Sequence, residues 1–491
     1  MPDLFIDGQW VGAPDGGRRT IVCPADGSVV AEVDEGSEAD TLAAIDAARR
    51  AFDTGPWPAT PYAARAALLG RVADLLQRDK AAIARAESLD TGKRYVESEY
   101  DVDDVTSVFR HYAAVGAEPE ADTPRVVDLG RDDVVSTIVK EPIGVCSLIT
   151  PWNYPLLQAS WKVAPCLLAG NTFVLKPSEV SPSTTIHLLR LLDEAGLPHG
   201  VGNLVLGAGA AVGGPLSSDP RVDLVSFTGG LATGKHLMRT AADTVKRIAL
   251  ELGGKNPNIV FADADLDAAL DMALTAVFLH SGQVCSAGAR LVIEDSIAEA
   301  FVDRLVERAE QIRLGGPFDD TAQTGPLTSE AHRAKVEAYV AAGVAEGARL
   351  RTGGARPDGA AYENGFYYLP TIFDQVSADM SVAQDESFGP VLTVETFATE
   401  DDAVRIANDS IYGLAGAVWT SDDAKADRIV ARLRMGTVWV NDYHPYVPQA
   451  EWGGYKQSGI GRELGHLGLE EYQETKHIWR NTAPTVQGWF A

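Results

Sequence analysis

The sequence predicts an α/β protein with two doubly wound parallel-sheet domains and a small β arm. Between residues 145 and 250, short apolar runs alternate with helix-length stretches, and glycine or proline marks the joints. A second series of this kind starts at residue 258. Alternating strands and helices are typical of βαβ units, which form buried parallel sheets. The 491 residues exceed what one hydrophobic core usually organises, so we expect at least two domains.

The amino-terminal region predicts a hairpin followed by helices. Residues 4–11 indicate two short strands with Asp7-Gly8 at the turn. Residues 37–117 carry an alanine-rich pattern with regularly spaced leucines, which is typical of amphipathic helices, and residues 53–61 interrupt it.

The strands of the two sheets are predicted from their apolar runs. The predicted strands are residues 145–150, 172–175, 203–206, 224–227 and 247–250 in the first sheet, and 258–261 and 291–293 in the second. The boundary between the two series of strands falls near Gly253-Gly254, and a helix is predicted over residues 266–279.

The domain division follows from these elements. We predict one domain from residues 1–123 and 145–253, and a second from residues 254–445. Residues 124–144 and 470–491 form the predicted arm, in which residues 125–129 and 134–139 alternate as strands. Such an arm would project from the body of the protein if the chain oligomerises.

Composition excludes several kinds of partner. The net charge is −27, so nucleic acid and anionic membranes are not expected partners. We see no signal peptide and no apolar run long enough to span a membrane. The four cysteines form no CxxC pair, which favours a reducing, cytoplasmic compartment, and we predict no metal site.

One glycine-rich stretch is similar to a dinucleotide-binding fingerprint. Residues 207–213 read Gly-Ala-Gly-Ala-Ala-Val-Gly, but the third glycine comes one residue late for G-x-G-x-x-G. We therefore expect an ordinary strand-to-helix turn here, with any dinucleotide held by other residues.

Three residues are candidates for chemistry. Cys285 follows a glycine-containing turn, although a lone cysteine is more often buried filler than a nucleophile. Glu251 follows a predicted strand and precedes Gly253-Gly254. Asn153 lies beyond the carboxyl end of another strand, the edge where open α/β sheets bind ligands.

Seven motifs in order resemble the aldehyde dehydrogenase superfamily, over essentially the whole chain. The closest similarity is to the betaine aldehyde and aminoaldehyde dehydrogenases. The motifs are Pro151-Trp152-Asn153, Lys176-Pro177-Ser178-Glu179, Phe227-Thr228-Gly229, Glu251-Leu252-Gly253-Gly254-Lys255, Gly282-Gln283-x-Cys285, Glu386-x-Phe388-Gly389-Pro390 and Ser458-Gly459-x-Gly461-Arg462.

The resemblance implies an aldehyde dehydrogenase-like fold and a covalent mechanism. Cys285 would attack the aldehyde as a thiolate. The amide of Asn153 and the Cys285 N–H would stabilise the oxyanion. Glu251 would be the general base for hydrolysis of the thioester.

The resemblance also implies that the first domain binds NAD. Lys176 and Glu179 would bind the adenosine ribose, and a carboxylate there repels a 2′-phosphate, so NAD is expected in preference to NADP. Gly229-Gly230 would offer N–H groups to the pyrophosphate at the start of a helix. Many family members carry Ser at position 230, so glycine here removes a hydroxyl contact.

Further cofactor contacts follow from the same resemblance. Glu386 and Phe388 would hold and orient the nicotinamide ribose. Trp152, within the Pro151-Trp152-Asn153 motif, is included among the expected cofactor residues.

The substrate is expected to be a small aldehyde with a cationic head group. Tyr154, Trp161 and Trp452 stand where the betaine aldehyde group places an aromatic box, and π-faces attract quaternary ammonium. Some relatives have a further Trp where this chain has Leu279, so an aminoaldehyde such as 4-aminobutanal, or a broad range of aldehydes, stays an alternative. Lys162 and Glu463 resemble a proposed proton relay, against which a plain salt bridge is weighed.

Three other functions are considered. Acyl transfer to coenzyme A is disfavoured because such relatives typically lack the acid at position 251. An esterase would need no nucleotide, and a non-catalytic homologue would not need its Cys285, Glu251 and Asn153. We expect a homodimer or homotetramer.

Overall fold

The computed structural model describes residues 2–14, 16–119 and 121–490. Their β-structure comprises two large sheets, a three-stranded sheet and a two-stranded sheet. In chain order the strands are β1 (Leu4–Ile6), β2 (Gln9–Val11), β3 (Gly17–Val22), β4 (Val29–Glu35), β5 (Arg125–Val126), β6 (Val134–Pro142), β7 (Val145–Ile149), β8 (Thr172–Lys176), β9 (Gly202–Leu204), β10 (Leu224–Thr228), β11 (Arg247–Glu251), β12 (Pro257–Val260), β13 (Arg290–Glu294), β14 (Arg349–Thr352), β15 (Thr371–Asp374), β16 (Val391–Phe397), β17 (Ala415–Trp419), β18 (Thr437–Val440), β19 (Gly459–Ile460) and β20 (Gln473–Asn481).

Helices pack on both large sheets and on one another. Side chains cap several helices at their start, and at the first one Ser37 and Asp40 form a capping box. In chain order the helices are α1 (Glu38–Thr54), α2 (Tyr62–Arg78), α3 (Lys80–Thr91), α4 (Tyr95–Ala117), α5 (Pro155–Ala169), α6 (Ser183–Glu194), α7 (Gly214–Ser218), α8 (Leu231–Ala241), α9 (Leu266–Phe278), α10 (Asp295–Glu310), α11 (Glu330–Glu346), α12 (Ser381–Gln384), α13 (Glu400–Asn408), α14 (Asp423–Val430) and α15 (Gly465–Glu470).

The first large sheet has the strand order β19-β11-β10-β7-β8-β9-β1-β2. Its five central strands, from β11 to β9, are parallel, while β19 and β1 join its ends antiparallel. The parallel strands are buried along their whole length except at the start of β11. Because their carboxyl ends share one edge, Lys176, Thr228 and Glu251 come together there.

The second large sheet has the order β14-β15-β16-β13-β12-β17-β18, parallel except for β14. Its strands lie between residues 257 and 440, beyond the predicted boundary near Gly253. The loop from α9 to β13 leaves this sheet towards the first one, and it carries Cys285.

The predicted α/β class is confirmed, and most predicted strands agree with the observed ones to within two residues. The strand predicted over 125–129 was too long, because only Arg125–Val126 is a strand. The chain turns after it, where Asp128 accepts a hydrogen bond from the Gly130 N–H.

The three-stranded sheet has the order β20-β6-β5 and is antiparallel. β20 pairs with β6 over its full length, from Gln473 opposite Pro142 to Asn481 opposite Val134. Ile478 and Trp479 on β20 are exposed. In the part of the chain that the structure describes, we find no helix with the length and apolar character needed to cross a bilayer.

Candidate active site

Cys285 lies in a tightly held loop. Before it, His280 and Ser281 have left-handed backbone conformations (φ 47° and 52°), and so does Gly282 (φ 73°). A side chain at Gly282 would lie 2.1 Å from the Gly389 carbonyl oxygen, so glycine is required there. The loop therefore presents the Cys285 thiol in one defined position.

Two cavities meet at Cys285. The one on the side of the first sheet has a volume of about 200 Å³, and Asn153, Glu251 and Glu386 are among its lining residues. The other has a volume of about 270 Å³ and is lined mainly by aromatic and acidic side chains. Cys285 lines both cavities, so the predicted catalytic residues share one site.

Asn153 is fixed by the loop that carries the nucleophile. Its side-chain Nδ2 donates to the backbone carbonyl of Gln283 at 2.8 Å. A primary amide has two N–H donors, so this bond leaves one of them for a second acceptor. Asn153 is buried beside Cys285 and can direct that donor at an oxygen bound in the cavity.

Glu251 is a buried carboxyl at the end of β11. Neither of its carboxyl oxygens has a hydrogen-bond partner among the described residues. Burial, and then the charge of Glu463, raise the pKa of Glu251 well above its usual value, and Lys162 and Arg462 oppose the shift. Because of the raised pKa, the ionised form of this carboxyl group binds a proton strongly, which suits it to act as a base during a reaction.

The Cys285 thiol is also disfavoured as an anion. Burial raises its pKa to about 12, and the carboxyl groups of Glu251 and Glu386 add to the effect. A thiolate therefore needs a nearby group that takes the proton. Glu251, which lines the same cavity, is such a group.

Lys162 and Glu463 form a buried ion pair behind Glu251. Lys162 Nζ donates to Glu463 Oε1 and also to Ser226 Oγ, the latter at 3.2 Å. The second carboxyl oxygen of Glu463 has no partner among the described residues. The pair lies close enough to alter the pKa of Glu251, which a surface salt bridge would not do.

A larger cavity of about 570 Å³ continues along the carboxyl edge of the first sheet. Lys176, Glu179, Trp152, Gly229 and Gly230 line it, as the predicted cofactor roles require. Lys176 Nζ lies 3.8 Å from Glu179 Oε2. Burial lowers the pKa of Lys176, and the Glu179 charge opposes that shift.

The glycine-rich stretch after β9 corrects an expectation. Residues Gly209–Gly213 form a π-helical turn rather than an ordinary one, and they lead into α7. Gly209, Ala210 and Gly213 line the same cavity as Lys176, so the stretch belongs to the candidate cofactor site after all. The glycines were the available signal for a cofactor site. Their spacing differs from that of the dinucleotide-binding fingerprint, and the π-helical turn that they form is wider than an ordinary turn.

The large cavity fits a dinucleotide. A Cβ added at Gly209, Gly213 or Gly230 would meet no atom within 4 Å, so the backbone faces open space there. The buried hydroxyl groups of Thr150 and Thr228 line the cavity and have no hydrogen-bond partner among the described residues. Glycine backbone and free hydroxyl groups suit the phosphates and ribose of a nucleotide.

Glu386 and Phe388 close the smaller cavity. Glu386 Oε1 accepts from the Gly254 N–H at 3.0 Å, and burial raises the pKa of Glu386 to about 7. The Phe388 ring packs edge-on against Trp152, with ring centroids 5.3 Å apart. Both side chains line the cavity that contains Cys285.

The predicted aromatic residues line the second cavity together. Trp161 and Trp452 pack with ring centroids 6.0 Å apart, and Tyr154 lines both cavities. Leu279 lies in the same wall. The prediction missed Tyr446, whose ring centroid lies 5.3 Å from that of Trp161 and which completes this cluster.

Acidic residues in the second cavity were also missed. Glu97, Asp101 and Asp104 lie on successive turns of α4 and line the cavity. Arg94 pairs with Glu97, and Lys93 Nζ lies 2.6 Å from Asp101 Oδ2. Asp104 accepts instead from the Tyr446 hydroxyl, and burial raises its pKa to about 6.

Gln158 is a further missed residue. It is buried on α5, one turn after Tyr154, and lines both cavities beside Cys285. Its Oε1 atom has no hydrogen-bond partner among the described residues. The i, i+4 spacing of Tyr154 and Gln158 on a helix that starts at the site was the available signal.

The order of the sheets, the loop of the nucleophile and the two cavities that meet at Cys285 together define an aldehyde dehydrogenase. The sequence model of the aldehyde dehydrogenase family matches residues 10–478. The chain belongs to that family. The resemblance inferred from the seven motifs is thereby confirmed.

Three similar proteins show which members of the family the chain resembles. The chain is 56% identical over 487 residues to a betaine aldehyde dehydrogenase of Bacillus subtilis, covering 99% of both chains. It is 41% identical over 490 residues to a peroxisomal aminoaldehyde dehydrogenase of Pisum sativum, covering 99% of this chain and 97% of the relative. A crystal structure of betaine aldehyde dehydrogenase from Staphylococcus aureus in complex with NAD⁺ superposes with a TM-score of 0.98 at 49% identity, covering 100% of this chain and 97% of that one.

Proposed function

We propose that this protein oxidises an aldehyde to the carboxylic acid with NAD, through a thioester on Cys285. The observation that carries the proposal is the position of Cys285 between the two cavities. One cavity holds an amide donor and a carboxyl base, and the other is built for a cationic head group. NAD is supported by the nucleotide-sized cavity and by the NAD⁺ complex of the similar Staphylococcus aureus structure.

The first half of the reaction acylates the enzyme. Glu251 takes the proton of the Cys285 thiol, and the sulfur attacks the aldehyde carbon to form a C–S bond. The carbonyl oxygen becomes an oxyanion, which accepts hydrogen bonds from the Asn153 amide and the Cys285 N–H. Bound NAD supplies the acceptor for the hydride that then leaves this carbon.

The second half hydrolyses the thioester. Glu251 first passes the thiol proton towards Glu463 and Lys162, and then removes a proton from a water molecule as the water oxygen attacks the thioester carbon. The C–S bond breaks, and the acid leaves while the sulfur is released as thiolate or thiol. The proton held by Glu251 passes towards Glu463 and Lys162, whose buried ion pair lies behind it.

Betaine aldehyde is the proposed substrate. The rings of Trp161, Trp452 and Tyr446 enclose the cavity beyond Cys285, and π-faces attract a cation that cannot donate hydrogen bonds. The carboxyl group of Asp104 adds negative charge to the same cavity. The relatives named betaine aldehyde dehydrogenase support this choice.

An aminoaldehyde such as 4-aminobutanal is the second candidate. A primary ammonium group donates hydrogen bonds, and Asp104 and the Gln158 Oε1, which has no partner among the described residues, can accept them. The aminoaldehyde dehydrogenases among the relatives support this reading. Leu279 in place of a ring would also make room for a longer substrate.

A kinetic screen decides between these candidates. Betaine aldehyde, 4-aminobutanal and butanal are each compared with NAD and NADP by following absorbance at 340 nm. The proposal expects the highest kcat/KM with betaine aldehyde and NAD. A preference for 4-aminobutanal would make the protein an aminoaldehyde dehydrogenase. Ester hydrolysis without reduction of NAD or NADP would contradict the proposed reaction.

The preference for NAD over NADP is tested at Glu179. Its carboxylate lines the nucleotide cavity beside Lys176, and it would accept from a 2′-hydroxyl and repel a 2′-phosphate. Glu179→Gln removes the charge and keeps the size. We expect the ratio of kcat/KM for NAD to that for NADP to fall, and an unchanged ratio would contradict this role.

We also propose that the arm joins copies of this chain into a dimer or tetramer. β20 is an edge strand that leaves Ile478 and Trp479 exposed, and exposed sheet edges with apolar side chains usually pair or pack. Light scattering on Trp479→Glu is expected to show a smaller particle than the parent protein. A monomeric parent would contradict the proposal.

A further inference from the structure

We propose that His332 is a positioning residue of the cofactor site, where it holds Phe388 by a hydrogen bond to the backbone. This inference rests on the proposed use of NAD. His332 lies in the first turn of α11, far in sequence from Phe388, yet both line the cavity that contains Cys285.

The contact is short and surrounded by rings. His332 Nε2 lies 2.7 Å from the Phe388 carbonyl oxygen. The His332 ring packs against Trp152 with centroids 5.1 Å apart and against Phe388 with centroids 6.2 Å apart. Trp152 and Phe388 are themselves in contact, so the three rings form one wall of the cavity.

The Phe388 backbone needs this support. Its φ of 53° is in the left-handed region, which is unfavourable for a residue with a side chain. Within the described residues, no other hydrogen bond reaches the Phe388 carbonyl oxygen. The bond from His332 therefore selects the backbone conformation that turns the Phe388 ring towards Trp152.

The imidazole is neutral in this role. A carbonyl oxygen only accepts, so His332 Nε2 must carry the hydrogen. Burial lowers the pKa of His332 to about 4, so at neutral pH the ring donates without bringing a positive charge to the cavity. That suits a site whose nicotinamide is itself positively charged before the reaction.

The same contact reaches the nucleophile loop. Gly389, next to Phe388, packs its carbonyl oxygen against Gly282 so closely that a side chain at Gly282 would overlap it. Gly282 lies three residues before Cys285. A shift of the Phe388 backbone would therefore disturb both the cofactor wall and the loop of the nucleophile.

Two kinds of substitution separate the hydrogen bond from the ring packing. His332→Phe keeps an aromatic ring but has no donor, and His332→Leu lacks both, so one of them is available if the other fails to fold. His332→Gln keeps an N–H donor and loses the ring. Ala334→Ser, at an exposed position of the same helix, is the control.

The measured quantity is the dissociation constant for NAD, from quenching of tryptophan fluorescence without aldehyde. We expect His332→Phe and His332→Leu to weaken binding about three- to tenfold, the effect of one neutral hydrogen bond. His332→Gln is expected to keep most of the affinity, and the control Ala334→Ser is expected to bind NAD as the parent protein does.

Two outcomes would overturn the inference while leaving the proposed function intact: parent-like NAD affinity in the variants without a donor, or a loss in His332→Gln as large as theirs. A parent protein that does not bind NAD would instead contradict the proposed function, and this inference with it.

Discussion

Trp452 and Glu463 exchange two backbone hydrogen bonds, at 2.7 Å from the Trp452 N–H and 2.8 Å from the Glu463 N–H. The indole of the first lines the candidate head-group cavity, and the carboxyl group of the second accepts from Lys162. One pair of backbone hydrogen bonds thus holds both Trp452, a proposed substrate contact, and Glu463, a member of the proposed proton relay. A substitution of the Trp452 side chain leaves both backbone bonds available.

Trp452→Ala is expected to lower kcat/KM for betaine aldehyde by several-fold to about thirtyfold. The attraction of a cation to one aromatic face is about 0.5–2 kcal/mol, and more where water is excluded. The comparison substrate is 3,3-dimethylbutanal, a neutral aldehyde of nearly the same shape. The neutral aldehyde is expected to lose less, because it misses only the packing of the ring.

Trp452→Phe is the matched variant for this experiment. A smaller aromatic face is expected to restore part of the difference between the two aldehydes. Equal losses for both aldehydes would reduce the aromatic cluster to ordinary apolar lining, while the chemistry at Cys285 would be unaffected.

Glu251→Gln is expected to slow steady-state turnover by about 10²–10⁴, the usual contribution of a general base. If the main role of Glu251 is hydrolysis of the thioester, a burst of NADH survives in stopped-flow absorbance, because acylation precedes the slowed step. Loss of the burst would show that Glu251 also takes the thiol proton. Turnover at the parent rate would remove Glu251 from the mechanism.

Asn153→Ala is expected to lower kcat/KM for the aldehyde by about 10²–10³, the usual effect of losing one oxyanion donor. NAD binding is expected to be largely kept, because most of the nucleotide is proposed to lie in the larger cavity, which Asn153 does not line. Asn153→Asp, similar in size but without the N–H donors, is the control for shape. Activity close to the parent in either variant would contradict the assignment.

The affinity for NAD is expected to rise with pH through about 7. Burial raises the pKa of Glu386 to about 7, so the carboxyl group is protonated below that pH and ionised above it. A carboxylate accepts from ribose hydroxyl groups, so each pH unit below 7 weakens binding by up to about tenfold. Titrations between pH 5.5 and 8.5 measure this, with Glu386→Gln as the control. The same pH dependence in the variant would assign it to another group.

Much of the site follows from local sequence. Asn153, Lys176 and Glu251 lie at the carboxyl ends of strands whose apolar runs are plain, and parallel strands bring such ends to one edge. The loop with Cys285 is also local. Its left-handed residues cannot be read from the sequence, because they are held by contacts with distant segments, such as the hydrogen bond from the Ser281 N–H to Thr324 Oγ1 at 2.9 Å.

The remainder depends on contacts between distant segments. Tyr446 and Asp104 lie 342 positions apart, and nothing near either one shows that their side chains meet. The role of His332 depends likewise on the path of the chain around Phe388. The π-helical turn at Gly209–Gly213 is likewise not indicated by the order of its glycines.

The proposed reaction passes through a thioester on Cys285. Glu251→Gln is mixed with NAD and betaine aldehyde, quenched in acid during the burst, digested and analysed by mass spectrometry. We expect the peptide that contains Cys285 to carry the acyl group, in an amount matching the NADH formed, and no such group without NAD. A burst of NADH with an unmodified Cys285, or with the acyl group on Cys23, Cys146 or Cys166, would contradict the account.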